Sequence, residues 1–202
     1  MIRRSPARRS FLHLFVSSMF CAGVILAATP PPASAGGVDA TTTIRFTGTS
    51  TLHEFEGTAP GIRSTLKPSA QPGRWDADLV IPVARMETGN GSRDARMREM
   101  FHADRWPEIR VALRDVDPDA VQSSGTVGTS LTIGEATREV PATVTNWKRD
   151  GARVSFDAAA TISLAAFGLE APSVLGLVNV DDQVKVEGHV ELVVGPGDGP
   201  AS

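Results

Sequence analysis

His53, Glu54 and Glu56 stand within four residues of one another. A histidine beside carboxylates could pass a proton or hold a metal ion, so this cluster is the first candidate for an enzyme or a metal-dependent factor. The run around it, Leu52 to Gly57, reads as a strand, and successive strand side chains point to opposite faces. His53 then shares a face with Phe55, and Glu54 shares the other with Glu56. His-Glu-x-Glu is also not the helical metalloprotease pattern. His102 and His189 have no metal-type spacing around them. The sequence holds no Gly-x-Ser-x-Gly elbow and no glycine-rich phosphate loop opening a helix. Arg93 and Asp94 read as an exposed local pair or cap of little energetic weight. Trp75, Trp106 and Trp147 are too scattered to stack nucleic-acid bases. The expectation is therefore no catalytic residue, no metal and no cofactor, with His53 plus Glu54 or Glu56 kept as the alternative.

The elements that would position these residues begin after an address. Arg3, Arg4, Arg8 and Arg9 precede an apolar run from Phe11 to Ala28, and Ala33-Ser34-Ala35 forms a small-x-small cleavage site. Residues 1–35 thus read as a signal peptide, and Arg8-Arg9-Ser10-Phe11-Leu12 resembles a twin-arginine export signal. The expected location is periplasmic or secreted. Without residues 1–35 the chain keeps 16 basic and 23 acidic residues, a net charge of −7, which disfavours nucleic acid or an anionic membrane as natural partner. The single cysteine, Cys21, leaves with the signal, so the exported chain has no disulfide to rely on. Its length suits one domain held by its own core.

Residues 36–42 read as a linker, 43–194 as one domain and 195–202 as a disordered tail. Alternating runs predict eight strands, at 43–48, 52–57, 75–83, 108–116, 125–133, 137–147, 152–164 and 184–194. Asp117-Pro118-Asp119 reads as a turn, Gly134-Glu135-Ala136 as a hairpin loop and Asp150-Gly151 as a type I′ hairpin turn. Helical spacing appears once, near Arg93 to Phe101, with Met97, Met100 and Phe101 on one stripe and Arg93, Arg96, Arg98 and Glu99 left for solvent. Asn90 or Ser92 can cap this helix, and Pro107 stops it before Trp106. The pattern predicts an all-β antiparallel fold with one short inserted helix, and periodicity leaves sandwich and barrel both open.

The order of several segments resembles the polyisoprenoid-binding YceI-like family of exported bacterial proteins. They are Phe46 to Gly57, Thr88-Gly89 with Arg93-Asp94, Trp106-Pro107-Glu108-Ile109, Leu131 to Gly134 with Thr137 to Val140, and Phe167-Gly168-Leu169. The resemblance spans about Thr43 to Val193. It implies an eight-stranded, lipocalin-like antiparallel barrel whose apolar lumen holds a long isoprenoid, such as the tail of a quinone, without catalysis. Phe46, His53, Phe55, Trp75, Met86, Met97, Met100, Phe101, Trp106, Phe156 and Phe167 are the candidate ligand-binding residues, with ordinary core packing as the plainer reading of each. His53 could bond a quinone carbonyl, and methionine adapts to a chain-shaped ligand. The expected partner is an isoprenoid lipid; membrane or respiratory components and a homodimer are further partner expectations.

Overall fold

The computed structural model describes residues 38–174 and 178–193. The signal-peptide and tail expectations lie outside them. The described strands are β1 (Asp39–Ser50), β2 (Glu54–Thr58), β3 (Arg63–Pro68), β4 (Trp75–Pro82), β5 (Glu108–Val116), β6 (Thr126–Ile133), β7 (Ala136–Asp150), β8 (Arg153–Ser163), β9 (Ser173–Val174) and β10 (Val178–Val193). Two helices, α1 (Gly91–Met100) and α2 (Pro118–Ser124), interrupt them.

Nine strands form one curled antiparallel path in the order β2-β1-β10-β8-β7-β6-β5-β4-β3, and β9 adds to β10. The fold is thus all-β, as the alternation predicts, with nine strands on the path in place of eight. β10 is third on the path, pairing with β1 through Phe46↔Val186 and with β8 through Val186↔Ala160. β2 pairs only with the second half of β1, from Arg45 to Thr49. β3, at the far end of the path, comes against the first half: Val38 N–H donates to the Leu66 carbonyl at 3.4 Å, and Ser64 Oγ donates to Thr42 Oγ1 at 3.0 Å. β3 therefore meets the start of β1 through one isolated bridge and a side-chain hydrogen bond, and not through a ladder. Residues 38–42, expected as linker, belong to this seam and to β1.

Sequence patterning misses β3 because its Arg63, Lys67 and Pro68 dilute the apolar signal. Charges and proline are what protect a strand at the end of a sheet from pairing with foreign chains. Asp117-Pro118-Asp119 is a helix start and not a turn. The Asp117 carboxylate accepts from the Asp119 and Ala120 N–H groups, Pro118 takes the first-turn position where its missing N–H costs nothing, and Gly125 closes α2 at φ 66°. The Gly134-Glu135 loop joins Ile133 to Ala136 as expected. The second hairpin loop is Gly151-Ala152 between paired Asp150 and Arg153. Gly151 has φ 56° but Asp150 and Ala152 do not have positive φ, so a type I′ turn over Asp150-Gly151 is not formed.

Inward positions of the strands make one apolar core that includes Ile81, Ile109, Leu131 and Ile133, with Val83 the most deeply buried at 1% exposure. The segment after β4 is tied across to the sheet at two places. Val83 N–H donates to the Pro107 carbonyl at 2.9 Å, and Thr58 and Glu87 exchange backbone hydrogen bonds of 2.8 and 3.0 Å. These ties hold α1 against one end of the sheet's concave face.

Candidate functional site

The inward faces of the strands line two cavities. The first, about 450 Å³, lies at the α1 end and is walled by Ile81, Ile109, Val111, Leu131, Ile133, Val184 and Val186, with Met86, Met97, Met100 and Phe101 contributed by α1 and the segments beside it. The second, about 210 Å³, lies at the α2 end and is walled by Trp75, Ala77, Leu113, Val127, Trp147, Phe156 and Leu192. On β5 the residues alternate along one face, with Ile109 and Val111 in the first cavity and Leu113 in the second. The same strand face thus serves both.

Part of the first wall is built from two reciprocal glycine–aromatic pairs. Across β1 and β2, Phe46 opposes Gly57 and Gly48 opposes Phe55. Each ring lies on the facing glycine: a Cβ on Gly57 would sit 2.2 Å from Phe46 Cζ, and one on Gly48 2.5 Å from Phe55 Cζ. This is the physical content of the Phe46-Thr47-Gly48 and Phe55-Glu56-Gly57 repeats. An aromatic laid over a strand glycine covers bare backbone and keeps the ring within the wall.

At the mouth, Arg93 is placed by three contacts. Its Nε donates to Thr88 Oγ1 at 2.8 Å, its Nη2 to the Thr88 carbonyl at 3.2 Å, and its guanidinium carbon stands 4.6 Å from the centre of the Phe55 ring. Thr88 Oγ1 in turn donates to Asp94 Oδ1 at 2.6 Å, and the Thr88 N–H donates to the same oxygen at 2.8 Å. Asp94, 7% exposed, is thereby satisfied without contact to Arg93. Asn90 caps α1 by accepting from the Ser92 and Arg93 N–H groups, both at 3.1 Å. The Thr88-Gly89 and Arg93-Asp94 pieces of the sequence are one hydrogen-bonded unit, and neither charged residue is the freely exposed group that sequence alone implies. Arg93, Arg96 and His53 are the ionisable residues that line the first cavity, and among the described residues no carboxylate joins them.

Phe46, His53, Phe55, Met86, Met97, Met100 and Phe101 do line the first cavity. Trp75 and Phe156 line the second, where Phe156 stacks on Trp147 with centroids 5.1 Å apart and planes 12° from parallel. Trp106 and Phe167 line neither. Trp106 clamps the end of the helical segment to the β6–β7 turn: its ring lies against Gly134, with Arg105 4.3 Å above it. Phe167, 6% exposed, packs in the core from the turn after β8. Glu54 and Glu56 are exposed and line neither of the two cavities, so they do not join His53 in the first. Sequence reasoning, drawn to aromatics and methionines, passed over the strand aliphatics and the two arginines. The aliphatics were signalled by the alternation itself.

On the outer face, its hydrogen bond to the Asp157 carboxylate raises the His189 imidazole above its ordinary value, with Nδ1 2.6 Å from Oδ1. Hydrogen bonds from Asn146 and then His189 lower the Asp157 carboxyl. Asp182 is lowered by hydrogen bonds from the Ser163 hydroxyl and then the Ala165 N–H, the latter 2.7 Å, which anchors the turn carrying cavity-lining Leu164.

A curled antiparallel sheet around an apolar cavity with arginines in its lining has the geometry of a site for an apolar or amphipathic small molecule. The family is shown by sequence. The family model of the YceI-like domain matches residues 38–192, and the chain belongs to that family. Solved structures with a similar fold include Burkholderia cenocepacia BcnA, at 21% identity and TM-score 0.59 over 74% of this chain and 95% of that one. A polyisoprenoid-binding domain from Saccharophagus degradans, implicated in plant cell wall breakdown, is 18% identical, with TM-score 0.59 over 79% of this chain and 98% of the other. The Campylobacter jejuni YceI protein is 16% identical, with TM-score 0.52 over 69% of this chain and 85% of its own. No curated protein gives a significant sequence match.

Proposed function

We propose that this protein binds an isoprenoid lipid, such as a polyisoprenoid or an isoprenoid quinone, and carries or sequesters it without altering it chemically. The apolar tail occupies the first cavity and the polar head stays at the mouth beside His53, Arg93 and Arg96. The observation that carries this reading is the 450 Å³ cavity, whose wall is almost wholly hydrocarbon except at one rim. Burying a tail there releases about 0.8 kcal/mol per CH₂, so affinity can come from the tail alone. Membership of the YceI-like family and the fold shared with a polyisoprenoid-binding domain support the same ligand class. Arg93, already fixed by Thr88 and Phe55, costs little further ordering entropy when it meets a carbonyl or an anionic head.

The reading extends to place and partners. With residues 1–35 as an export signal, the protein works in the periplasm, and membrane or respiratory components supply and receive the lipid. Self-association into a homodimer would be one way to cover the mouth between exchanges. Native mass spectrometry of the exported protein, followed by organic extraction, tests the central point. The expected result is a protein carrying a co-purified isoprenoid, or one that takes it up from added quinone. A protein that is empty on isolation and stays empty after incubation with isoprenoid quinones overturns the proposal.

A further inference from the structure

We propose that the two cavities form one ligand path, in which a tail rooted in the first cavity continues past Gly188 and Ala158 into the second, and that these two small residues set the tail length accepted. This rests on the lipid reading above.

Three observations place the path. Each of several strands contributes inward residues to both cavities: Ile162 and Phe156 on β8, Val186 and Leu192 on β10, Leu131 and Val127 on β6. The two chambers are therefore stacked along the same strand faces. Between them runs a cross-strand row, Ile44↔Gly188↔Ala158↔Val144. The three heavy atoms nearest to a Cβ built on Gly188 are the Thr43 and Ala158 carbonyl oxygens and Ile44 Cγ1, none closer than 3.7 Å. Unlike Gly48 and Gly57, this glycine has no ring pressed onto its Cβ position, so a side chain can be added there without a clash at Cβ.

Size gives the consequence. At about 30 Å³ per water-sized group, the first cavity accommodates roughly fifteen heavy atoms and the second roughly seven. The first cavity by itself is matched to about three five-carbon isoprene units, and a longer tail must use the second. Trp147 and Phe156, stacked on each other, stand in the second chamber as apolar contacts for the tail's end.

The test uses the exported full-length protein and two probes, isoprenoid alcohols of three and five units, with affinities read by fluorescence displacement and confirmed by native mass spectrometry. The wild type should bind the five-unit alcohol at least about tenfold more tightly than the three-unit one, because the added carbons find apolar surface. Gly188→Leu, whose side chain would plug the row, should leave the three-unit affinity within about threefold and abolish the gain for the longer alcohol. Ala158→Leu should act in the same way, and Gly188→Val serves if Gly188→Leu does not fold in a thermal melt. Absence of a length gain in the wild type, or a gain that survives both plugs, overturns the shared path while leaving lipid binding intact. A wild type that binds neither alcohol removes the lipid reading and the path together.

Discussion

The two ends of the interior are made from the same strands and differ in where their aromatic rings go. At the α1 end, Phe46 and Phe55 lie over Gly57 and Gly48, within the wall, and the cavity reaches about 450 Å³. At the α2 end, Trp147 and Phe156 stack on each other, Trp75 joins them in the lining, and the cavity is about 210 Å³. Both ends are apolar, so hydrophobicity does not distinguish them. A ring that has a glycine beneath it is absorbed into the sheet, whereas a ring without one takes up the space a ligand would use. The lids differ in the same sense. The ten-residue α1 brings Arg93 and Arg96 to a mouth, while the seven-residue α2 brings Pro118, Asp119, Val121 and Gln122.

The contrast can be broken most forcefully at the glycines. Gly57→Val would drive side-chain atoms into Phe46 Cζ and into the Glu87 carbonyl oxygen, 2.2 and 2.8 Å from the Cβ position. A loss of about 3 kcal/mol in urea unfolding is expected, the upper end of overpacking costs, because backbone cannot move aside as a side chain can. Gly188→Ala, with nothing nearer than 3.7 Å, should cost less than about 1 kcal/mol. Similar losses for the two would show that the rings do not form the wall.

Next in size is the lid of the larger cavity. Thr88→Val keeps the shape but removes the hydroxyl that donates to buried Asp94 and accepts from Arg93. The expected loss is about 2 kcal/mol, the cost of leaving a buried charged group short of a partner, with weaker lipid binding as Arg93 loses its anchor. Unchanged stability in chemical denaturation would remove Thr88 as the pin of the mouth. The two helix caps give smaller and comparable effects: Asn90→Ala and Asp117→Ala should each cost about 1 kcal/mol. They differ in function, since only Asn90→Ala should change affinity for a ligand in the first cavity. Binding constants measured beside the melts would separate them.

The smallest effect sits on the outer face, away from either end. His189 is raised above 6.5 chiefly by its hydrogen bond to Asp157, so its contribution is fully present below pH 6.5 and fades as pH rises through the raised value. Asp157 is lowered below 3.8 by Asn146 and then His189, so its share is fully present above pH 3.8 and fades as pH falls through the lowered value. The melting-temperature difference between the wild type and His189→Gln should therefore be largest between pH 3.8 and 6.5 and small throughout, because both groups are solvent-exposed. A difference that grows above pH 7 would contradict this assignment.

Much of this arrangement was legible in the residue order. Alternation located eight of the nine strands on the path, in whole or in part, because one clean apolar face imposes a period of two. It missed β3, where edge-strand charges hide the signal, the first part of β1, which reads as linker, and the first part of β10, where Asp181 and Asp182 interrupt it. The helix α1 and its Asn90 cap were readable from spacing and side-chain type. For the site, the Met97/Met100/Phe101 stripe pointed to the right cavity, because helical periodicity determines which side chains share a face. Trp106 and Phe167 misled, because ring size signals burial but not which side of a wall a ring occupies.

The chain alone thus determined an all-β antiparallel protein with one apolar face per strand, a helix bearing methionines, and a set of motifs that identify the YceI-like family. These are properties of local periodicity and short-range chemistry. Only the tertiary structure decided that Phe46 and Phe55 rest on glycines of neighbouring strands, that Arg93 reaches a cavity mouth, and that the interior has two chambers. Each depends on register between strands distant in sequence, where a one-residue slip would turn every inward side chain out to solvent.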